Sequence, residues 1–242
     1  MRFFISLLSI GLSLSFPLLA KGPPPGTGMG DVKANIMIML DDSGSMWRRD
    51  STSGLDRWSY DVAVANNGDI FVADYMRDRI TRLDSSYTVK GMVGNRYSGV
   101  SSTSSGQALF GDLFGVALDH SDSTDEFFYA ANRRRQSSHN NFGFGNSYVS
   151  KVCTGITITA QCPRLGKLVA TGVRERRDMT AIAVQGNFVY SIGRQEFLYK
   201  LNKSDLSTVR SRNIRGSITN FLDTRSDVVA AGDYVIVSDW NS

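Results

Sequence analysis

The sequence predicts an all-β fold built from repeated sheets of four short antiparallel strands, which is the architecture of a β-propeller. Three observations lead to this prediction. Apolar residues alternate within short segments, turn-forming pairs such as Asn–Gly separate these segments, and the order of strand, turn and strand occurs four times. The composition agrees, because 23 glycines and an aromatic content of 10% suit short strands and tight turns. With 242 residues, of which 41% are hydrophobic, the chain can bury a sizeable core.

The clearest copy of the pattern covers residues 58–95. Val62 and Val64 alternate with alanines, and the Asn67–Gly68 pair that follows is a strong signal for a hairpin turn. The other strands of this copy are expected at Ile70–Ala73, Ile80–Leu83 and Tyr87–Val93. Four short strands joined by tight turns make one blade of a propeller.

Three later segments repeat this order, with turns expected at Gln185–Asn187 in the third copy and Gly232–Asp233 in the fourth. The intervals between copies exceed the ~40–45 residues of common propeller repeats. The extra residues fall in two polar segments, Ser98–Gln107 and 133–147. We interpret the first as a flexible loop between blades and the second as a long hairpin, and such excursions often carry binding functions.

A polar position recurs where the second strand of each copy ends. Aligning the copies places Asp74, Asn132, Ile192 and Asp239 at this position. A carboxylate here either caps the turn that follows the strand or faces the central channel, and we expect the capping role.

The fourth copy lacks its outer strands, because the sequence ends three residues after Asp239. An open propeller leaves a sheet edge unpaired, and unpaired edges promote aggregation. We therefore expect residues 57–242 to form a partial propeller, with about three full blades and part of a fourth. We also expect the natural chain to continue beyond Ser242.

The N-terminus has the features of a secretory signal peptide in residues 1–20. Arg2 supplies a short positive region, Phe3–Leu19 is apolar, and Ala20 is a small residue suited to cleavage. The apolar run of about 17 residues is at the short limit for a transmembrane anchor, which is the alternative. We expect a secreted, periplasmic or cell-surface protein without a transmembrane segment, in which the proline-rich residues 21–31 form a linker.

Export implies an oxidising compartment, where cysteines commonly pair. The chain has two cysteines, Cys153 and Cys162, with alternating β-branched residues between them. We expect a disulfide across a local hairpin, and the alternative is two reduced thiols.

Residues 58–95 resemble an NHL repeat, and the resemblance depends on the runs GDIFVAD and RITRLD. The later copies resemble weaker NHL repeats. The resemblance implies a β-propeller, commonly with six blades in complete proteins. Most members of this family are binding scaffolds, and a minority are enzymes.

A second resemblance precedes the propeller. Residues 34–46, ANIMIMLDDSGSM, are similar to the opening of a von Willebrand factor type A domain, whose first strand ends in the metal motif D-x-S-x-S. The matching positions are Asp41, Ser43 and Ser45. A carboxylate and two hydroxyls at alternate positions of a tight loop can face one Mg²⁺ or Ca²⁺ ion, since both ions prefer oxygen ligands. The alternative is a serine-rich surface turn without a metal.

The residues after the motif depart from the type A family. The run WRRDSTSGLDRW lacks the apolar stripe of the expected helix, and the later threonine and aspartate ligands of the family have no counterpart. We expect residues 32–50 to begin a type A-like domain into which the propeller is inserted, and the alternative is a remnant of such a domain. In both cases the metal site is incomplete in this chain. The combination loosely resembles the adhesins at type IV pilus tips.

The charge pattern does not support a nucleic-acid partner, and we expect none, because 27 basic and 23 acidic residues leave a net charge of only +4 and the basic residues are scattered. His120 and His139 lie in polar segments that we read as solvated loops, and no nucleophile elbow or P-loop occurs. We expect a non-enzymatic binding or adhesion protein that contacts a protein or cell-surface ligand and associates with a pilus or the cell envelope. The alternatives are a calcium-dependent propeller enzyme of the lactonase or lyase type, and a metal-free interaction propeller.

Overall fold

The structure is a computed structural model that describes residues 59–94, 106–120, 123–133, 147–175, 179–193, 197–214 and 227–238. All of these residues belong to one unit of the chain, Asp42–Ser242. Within them lie fourteen strands and a short 3₁₀ helix at Tyr75–Arg77. The predicted signal peptide, linker and metal motif lie outside the described residues.

The strands are short, with five to eight residues each. They are β1 Ser59–Val64, β2 Ile70–Asp74, β3 Arg79–Leu83, β4 Val89–Gly94, β5 Asp112–Leu118, β6 Phe127–Arg133, β7 Ser147–Cys153, β8 Leu168–Glu175, β9 Met179–Gln185, β10 Phe188–Gly193, β11 Phe197–Asn202, β12 Thr208–Asn213, β13 Asp227–Ala231 and β14 Tyr234–Ser238.

The strands form three four-stranded antiparallel sheets and one two-stranded sheet, each in simple sequential order. We call β1–β4 blade 1, β5–β8 blade 2, β9–β12 blade 3 and β13–β14 the half-blade. The sheets pack face to face, and their first strands, β1, β5, β9 and β13, are successive neighbours. The chain therefore forms an all-β partial propeller with three full blades and part of a fourth, as the sequence predicts.

The predicted hairpin turns are present where the sequence places them. Gly68 has a φ of +88°, a conformation that glycine adopts without steric cost, and the Ala65 N–H donates to the Asp69 carbonyl at 2.7 Å. Gly186 and Gly232 also have positive φ values in the β9–β10 and β13–β14 turns. Local turn chemistry therefore sets the pairing register of the first two strands in these sheets.

An aromatic cluster fills the seam between blades 1 and 2. Phe71, Phe110 and Phe128 are each fully buried, and the ring centroid of Phe128 lies 5.6 Å from that of Phe71 and 6.5 Å from that of Phe110. Burying one such side chain stabilises the fold by roughly 1.5–3 kcal/mol. Phe71 and Phe128 come from the second strands of adjacent blades, so this cluster holds the two sheets together.

Two further seams join blade 2 to blade 3 and blade 3 to the half-blade. The seam between blades 2 and 3 contains Tyr129, Ala131, Val149, Met179, Ile182, Val189, Tyr199, Leu201 and Leu206. The seam between blade 3 and the half-blade centres on Ala181, Ile192 and Val228. On the opposite face of the half-blade, Val229, Tyr234 and Ile236 are exposed.

The structure corrects two details of the sequence interpretation. The residues between the cysteines do not form a strand, because β7 ends at Cys153 and β8 begins at Leu168. The hydroxyls of Thr154 and Thr157 instead donate to the carbonyls of Asp125 and Thr124. Threonine hydroxyls that bind the backbone in this way compete with strand pairing.

The second correction concerns the aligned polar position. Pairing with the first strands places Gly193, and not Ile192, in register with Asp74 and Asn132. Each full blade has a bulge at the same place in its first strand, so the bulges do not shift one copy against another. The shift arises at the turn, because the paired residue Ile70 follows Gly68 by two positions whereas its equivalent Val189 follows Gly186 by three. Ile192 occupies the neighbouring buried position and packs in the third seam.

Candidate functional site

The described residues form a cleft of about 250 Å³ between blades 2 and 3. We call it the inter-blade cleft. It opens at the end of the blades that carries the β5–β6, β9–β10 and β11–β12 turns. Its walls are formed by Asp119, Phe127, Tyr129, Lys151, Asn187, Asn202, Lys203 and Ser204.

Lys151 is the central charged residue of the cleft. It lies on β7 and is only 6% exposed, and its ammonium lies 4.0 Å from the centroid of the Phe127 ring. The Nζ group donates a hydrogen bond to the Ser204 carbonyl at 3.2 Å. Burial lowers the pKa of Lys151 below its ordinary value, because desolvation disfavours the charged form.

The opposite wall of the cleft is held by an ion pair and by backbone contacts. The Lys203 ammonium pairs with the Asp119 carboxylate across the seam. The Lys203 N–H donates to the Asn187 carbonyl at 2.9 Å, and the Tyr129 hydroxyl donates to the Lys203 carbonyl at 3.4 Å. These bonds tie the β11–β12 turn to β6 and to the β9–β10 turn, so the shape of the cleft is fixed by both blades.

A second group of interest is Asp61, which follows the bulge of β1. One carboxylate oxygen accepts from the Val62 N–H and the other accepts from the Val116 N–H of blade 2, both at 2.8 Å. Burial raises the pKa of Asp61 to about 7, and repulsion from Asp227 on β13 adds to this shift. Asp227 repeats the local geometry of Asp61, since it accepts from the Val228 N–H at 2.7 Å.

The raised pKa of Asp61 predicts a specific pH dependence of stability. The folded state keeps the Asp61 proton up to about pH 7, whereas the unfolded chain loses it near the ordinary aspartate pKa of 3.8. Stability from this group is therefore complete below pH 3.8 and is lost as the pH rises towards 7, by about 4 kcal/mol at most.

Urea unfolding of the wild type and Asp61→Asn between pH 4 and pH 8 measures this contribution. We expect Asp61→Asn to remove this part of the pH slope, because asparagine does not titrate. Asp84→Asn is the control, since hydrogen bonding from the Thr88 N–H lowers the pKa of Asp84 and moves its titration below this range. An unchanged slope in Asp61→Asn would contradict the assignment.

The residues singled out from the sequence have different positions relative to these features. Asp41, Ser43, Ser45 and His139 lie outside the described residues, and His120 is exposed in the β5–β6 connection, as expected for a solvated histidine. Among the described residues, no three acidic, histidine or cysteine side chains form a group able to hold a metal ion.

Asp74 has the capping role that the sequence predicts. Its fully buried carboxylate accepts from the Arg77 N–H at 3.3 Å and so caps the 3₁₀ helix. It also pairs with the Arg79 guanidinium at 3.2 Å. Asp239, its counterpart in the half-blade, lies outside the described residues.

Cys153 and Cys162 form a disulfide in the structure, with their Cα atoms 5.4 Å apart. The bond joins the end of β7 to the β7–β8 connection, and both residues are fully buried. The Cys162 N–H also donates to the Thr159 hydroxyl at 2.8 Å. The disulfide thus fixes a loop that packs against the β5–β6 connection, and it does not touch the inter-blade cleft.

Asp61 and Lys151 are the two residues that the sequence interpretation missed. A signal for Asp61 exists, because the runs DVAVA and DVVAA place an aspartate before the same valine position in the first and fourth copies. Lys151 has no comparable signal. Its burial arises from the packing of two blades and not from its neighbours in the sequence.

Comparison with known proteins gives similarity in architecture only. No protein-family model and no curated protein matches the sequence. Among solved structures, the RRP9 WD40 repeats match at 12% identity and a TM-score of 0.45, over 68% of this chain and 40% of that chain. The computationally designed Ika4 protein matches at 10% identity and a TM-score of 0.46, over 76% of this chain and 86% of that chain.

A bacterial enzyme is also similar in structure. Glutaminyl cyclase from Myxococcus xanthus matches at 12% identity and a TM-score of 0.44, over 76% of this chain and 62% of that chain. The chain therefore spans well under two thirds of the RRP9 structure and slightly under two thirds of the cyclase. In the described part of this chain, no helix has the length and hydrophobicity required to cross a bilayer.

Proposed function

We propose that this chain is a secreted, non-enzymatic binding or adhesion protein. It binds a protein or cell-surface ligand through the surface of a rigid propeller and through a contact that depends on a divalent cation. The observation that carries the proposal is the way in which the blades are joined. Buried seams and polar bonds across them hold the turns of adjacent blades in fixed relative positions, which is what a binding scaffold requires.

The polar bonds between blades 1 and 2 illustrate this rigidity. Asp125 accepts from the backbone N–H of Asn66 at 2.6 Å and from its side-chain amide at 3.0 Å. Arg82 pairs with Asp69 at 2.5 Å within blade 1 and donates to the Thr154 carbonyl of blade 2 at 3.2 Å. The Asn66–Asp125 bonds join a turn of blade 1 to a turn of blade 2, and Arg82 links β3 of blade 1 to the β7–β8 connection of blade 2. These bonds hold the connections at this end of the two blades in fixed relative positions.

The cation-dependent contact rests on the D-x-S-x-S motif of Asp41, Ser43 and Ser45. In this proposal Asp41 binds Mg²⁺ or Ca²⁺ through its carboxylate or a bridging water, the two serine hydroxyls are further ligands, and an acidic group of the partner completes the coordination. A motif with three protein ligands leaves open positions on the ion, which suits a contact that forms only with the partner.

Titration calorimetry of the 242-residue chain with MgCl₂ and CaCl₂ tests the metal site. We expect weak saturable binding for the wild type and at least a tenfold loss of affinity in Asp41→Ala. Asp84→Asn, which removes an acidic group on the β3–β4 turn, serves as the control and should leave the heats unchanged. Equal heats for the wild type and Asp41→Ala would overturn the cation-dependent contact.

Export and oxidation can be tested on the natural host or a bacterial expression host. We expect the exported protein to begin at Lys21 and to resist thiol alkylation at Cys153 and Cys162 until it is reduced. Leu7→Arg interrupts the apolar region and should keep the protein inside the cell. A chain that retains Met1 in every fraction would overturn secretion, and alkylation of both thiols without reduction would overturn the disulfide.

The alternative of a calcium-dependent propeller enzyme has less support from the described residues. Such a site needs several free oxygen ligands around the channel. The position shared by the second strands carries Asp74, Asn132 and Gly193, and the Asp74 carboxylate is already engaged by Arg77 and Arg79. The Asp61 carboxylate likewise accepts backbone N–H groups with both oxygens.

A further inference from the structure

We infer that the inter-blade cleft is a binding site for a small organic monocarboxylate with an apolar or aromatic body. The inference does not depend on the proposed adhesion function, because the metal motif at Asp41, Ser43 and Ser45 shares no residue with the cleft. It rests on the environment of Lys151, on the charge balance of the cleft and on the chemistry of its walls.

The Lys151 ammonium has more hydrogen-bonding capacity than the described residues use. An ammonium has three N–H donors and no acceptor. In the part of the chain that the structure describes, Lys151 has a single hydrogen-bond acceptor, the Ser204 carbonyl, and one further contact with the face of Phe127. Only 6% of Lys151 is exposed, so its remaining hydrogen bonds are made within the cleft, where a ligand oxygen would take the place of water.

The ion pairs at the cleft leave Lys151 able to accept one direct carboxylate contact from a ligand. Its lining contains two lysines and one aspartate. Asp119 forms an ion pair with Lys203, which leaves the Lys151 charge without a direct ion-pair partner among the described residues. Glu126, Asp119 and Asp205 act on Lys151 only through longer-range electrostatics. The carboxylate of a monocarboxylate ligand would make the direct contact that these more distant groups do not make, and a charge-assisted hydrogen bond of this kind is stronger than a neutral one.

The walls of the cleft define the body of the ligand. Phe127 and Tyr129 supply aromatic surface on one side, and Asn187, Asn202 and Ser204 supply polar groups at the rim. A volume of about 250 Å³ is smaller than the roughly 300–1,000 Å³ of pockets that hold drug-sized ligands. The cleft therefore suits a compact acid of the size of benzoate.

Binding of benzoate and its neutral counterpart benzamide to the 242-residue chain tests the inference. We expect saturable binding of benzoate by calorimetry and at least tenfold weaker binding of benzamide. Lys151→Met keeps the apolar stem and removes the charge, and it should weaken benzoate binding at least tenfold. Lys200→Met is the matched control, because the Lys200 ammonium also lies over an aromatic ring, 3.7 Å from the centroid of Phe188, but outside the cleft.

A second measurement uses the wild-type protein alone and does not depend on the folding of a variant. Reductive methylation with formaldehyde and cyanoborohydride, followed by peptide mass analysis, reports the accessibility of each lysine. Benzoate should slow the methylation of Lys151 at least threefold and leave Lys200 unchanged, and benzamide should protect neither. The inference is overturned if benzoate does not bind, if it binds Lys151→Met and the wild type equally, or if it leaves the methylation of Lys151 unchanged.

Discussion

Replacing Phe128 with alanine is expected to lower the free energy of unfolding by about 4 kcal/mol. Phe128 is fully buried in the seam between blades 1 and 2, where its ring contacts Phe71 and Phe110. The substitution removes apolar contacts and leaves a cavity that two packed sheets cannot close, because each sheet is held by its own hydrogen bonds. Urea unfolding followed by circular dichroism measures the change.

Phe188→Ala is the matched control for this experiment. Phe188 lies on β10 of blade 3, is partly exposed and faces the Lys200 ammonium. We expect its loss to cost only about 1 kcal/mol, since little cavity forms at a partly exposed position. A cost below 1 kcal/mol for Phe128→Ala would show that the seam does not contribute to stability in the way described.

Replacing Gly94 with alanine is expected to cost about 3 kcal/mol, for two independent reasons. Gly94 ends β4 with a φ of +92°, which strains any residue with a Cβ atom. An added Cβ would also lie 2.3 Å from the Asp78 carbonyl oxygen and 2.8 Å from the Phe110 ring. Neither neighbour can move easily, because Asp78 ends the 3₁₀ helix and Phe110 belongs to the first seam.

Gly186→Ala separates the two contributions. Gly186 also has a positive φ, of +55°, but no atom lies within 4 Å of the position that a Cβ would occupy. This variant should lose only about 1 kcal/mol through backbone strain. Thermal or urea unfolding of both variants gives the difference. Equal losses in Gly94→Ala and Gly186→Ala would rule out the close approach at Gly94.

The blades could be predicted from the sequence because their signals are local. The Asn67–Gly68 turn and the alternation of Val62 with Val64 lie within a few residues of each other, and turn type sets the register of a hairpin. The same reasoning located the turns at Gly186 and Gly232. The capping role of Asp74 also follows from its place before a turn.

The errors occur where a contact from elsewhere in the chain decides the local structure. The threonines after Cys153 have high strand propensity, but their hydroxyls bind the carbonyls of the β5–β6 connection and the segment forms a loop. The turn between β9 and β10 differs by one residue from the turn between β1 and β2, and this difference places Gly193 instead of Ile192 at the position of Asp74. Burial that raises or lowers a pKa, as at Asp61 and Lys151, requires the packing of two blades.

The succession of seams gives the molecule the energetics of a stack. Each hydrophobic cluster joins one blade to the next, so a substitution such as Phe128→Ala should destabilise two neighbouring sheets. Its effect on the free energy of unfolding should be nearly additive with that of a substitution at Ile192, which lies in a different seam. Asp61 and Asp227 are an exception to this rule. Their carboxylates repel each other although they lie on β1 and β13, in the first and last sheets. A change of charge at Asp227 on the half-blade therefore alters the pKa of Asp61 on blade 1, and a proton bound by Asp61 reduces the repulsion between these two sheets.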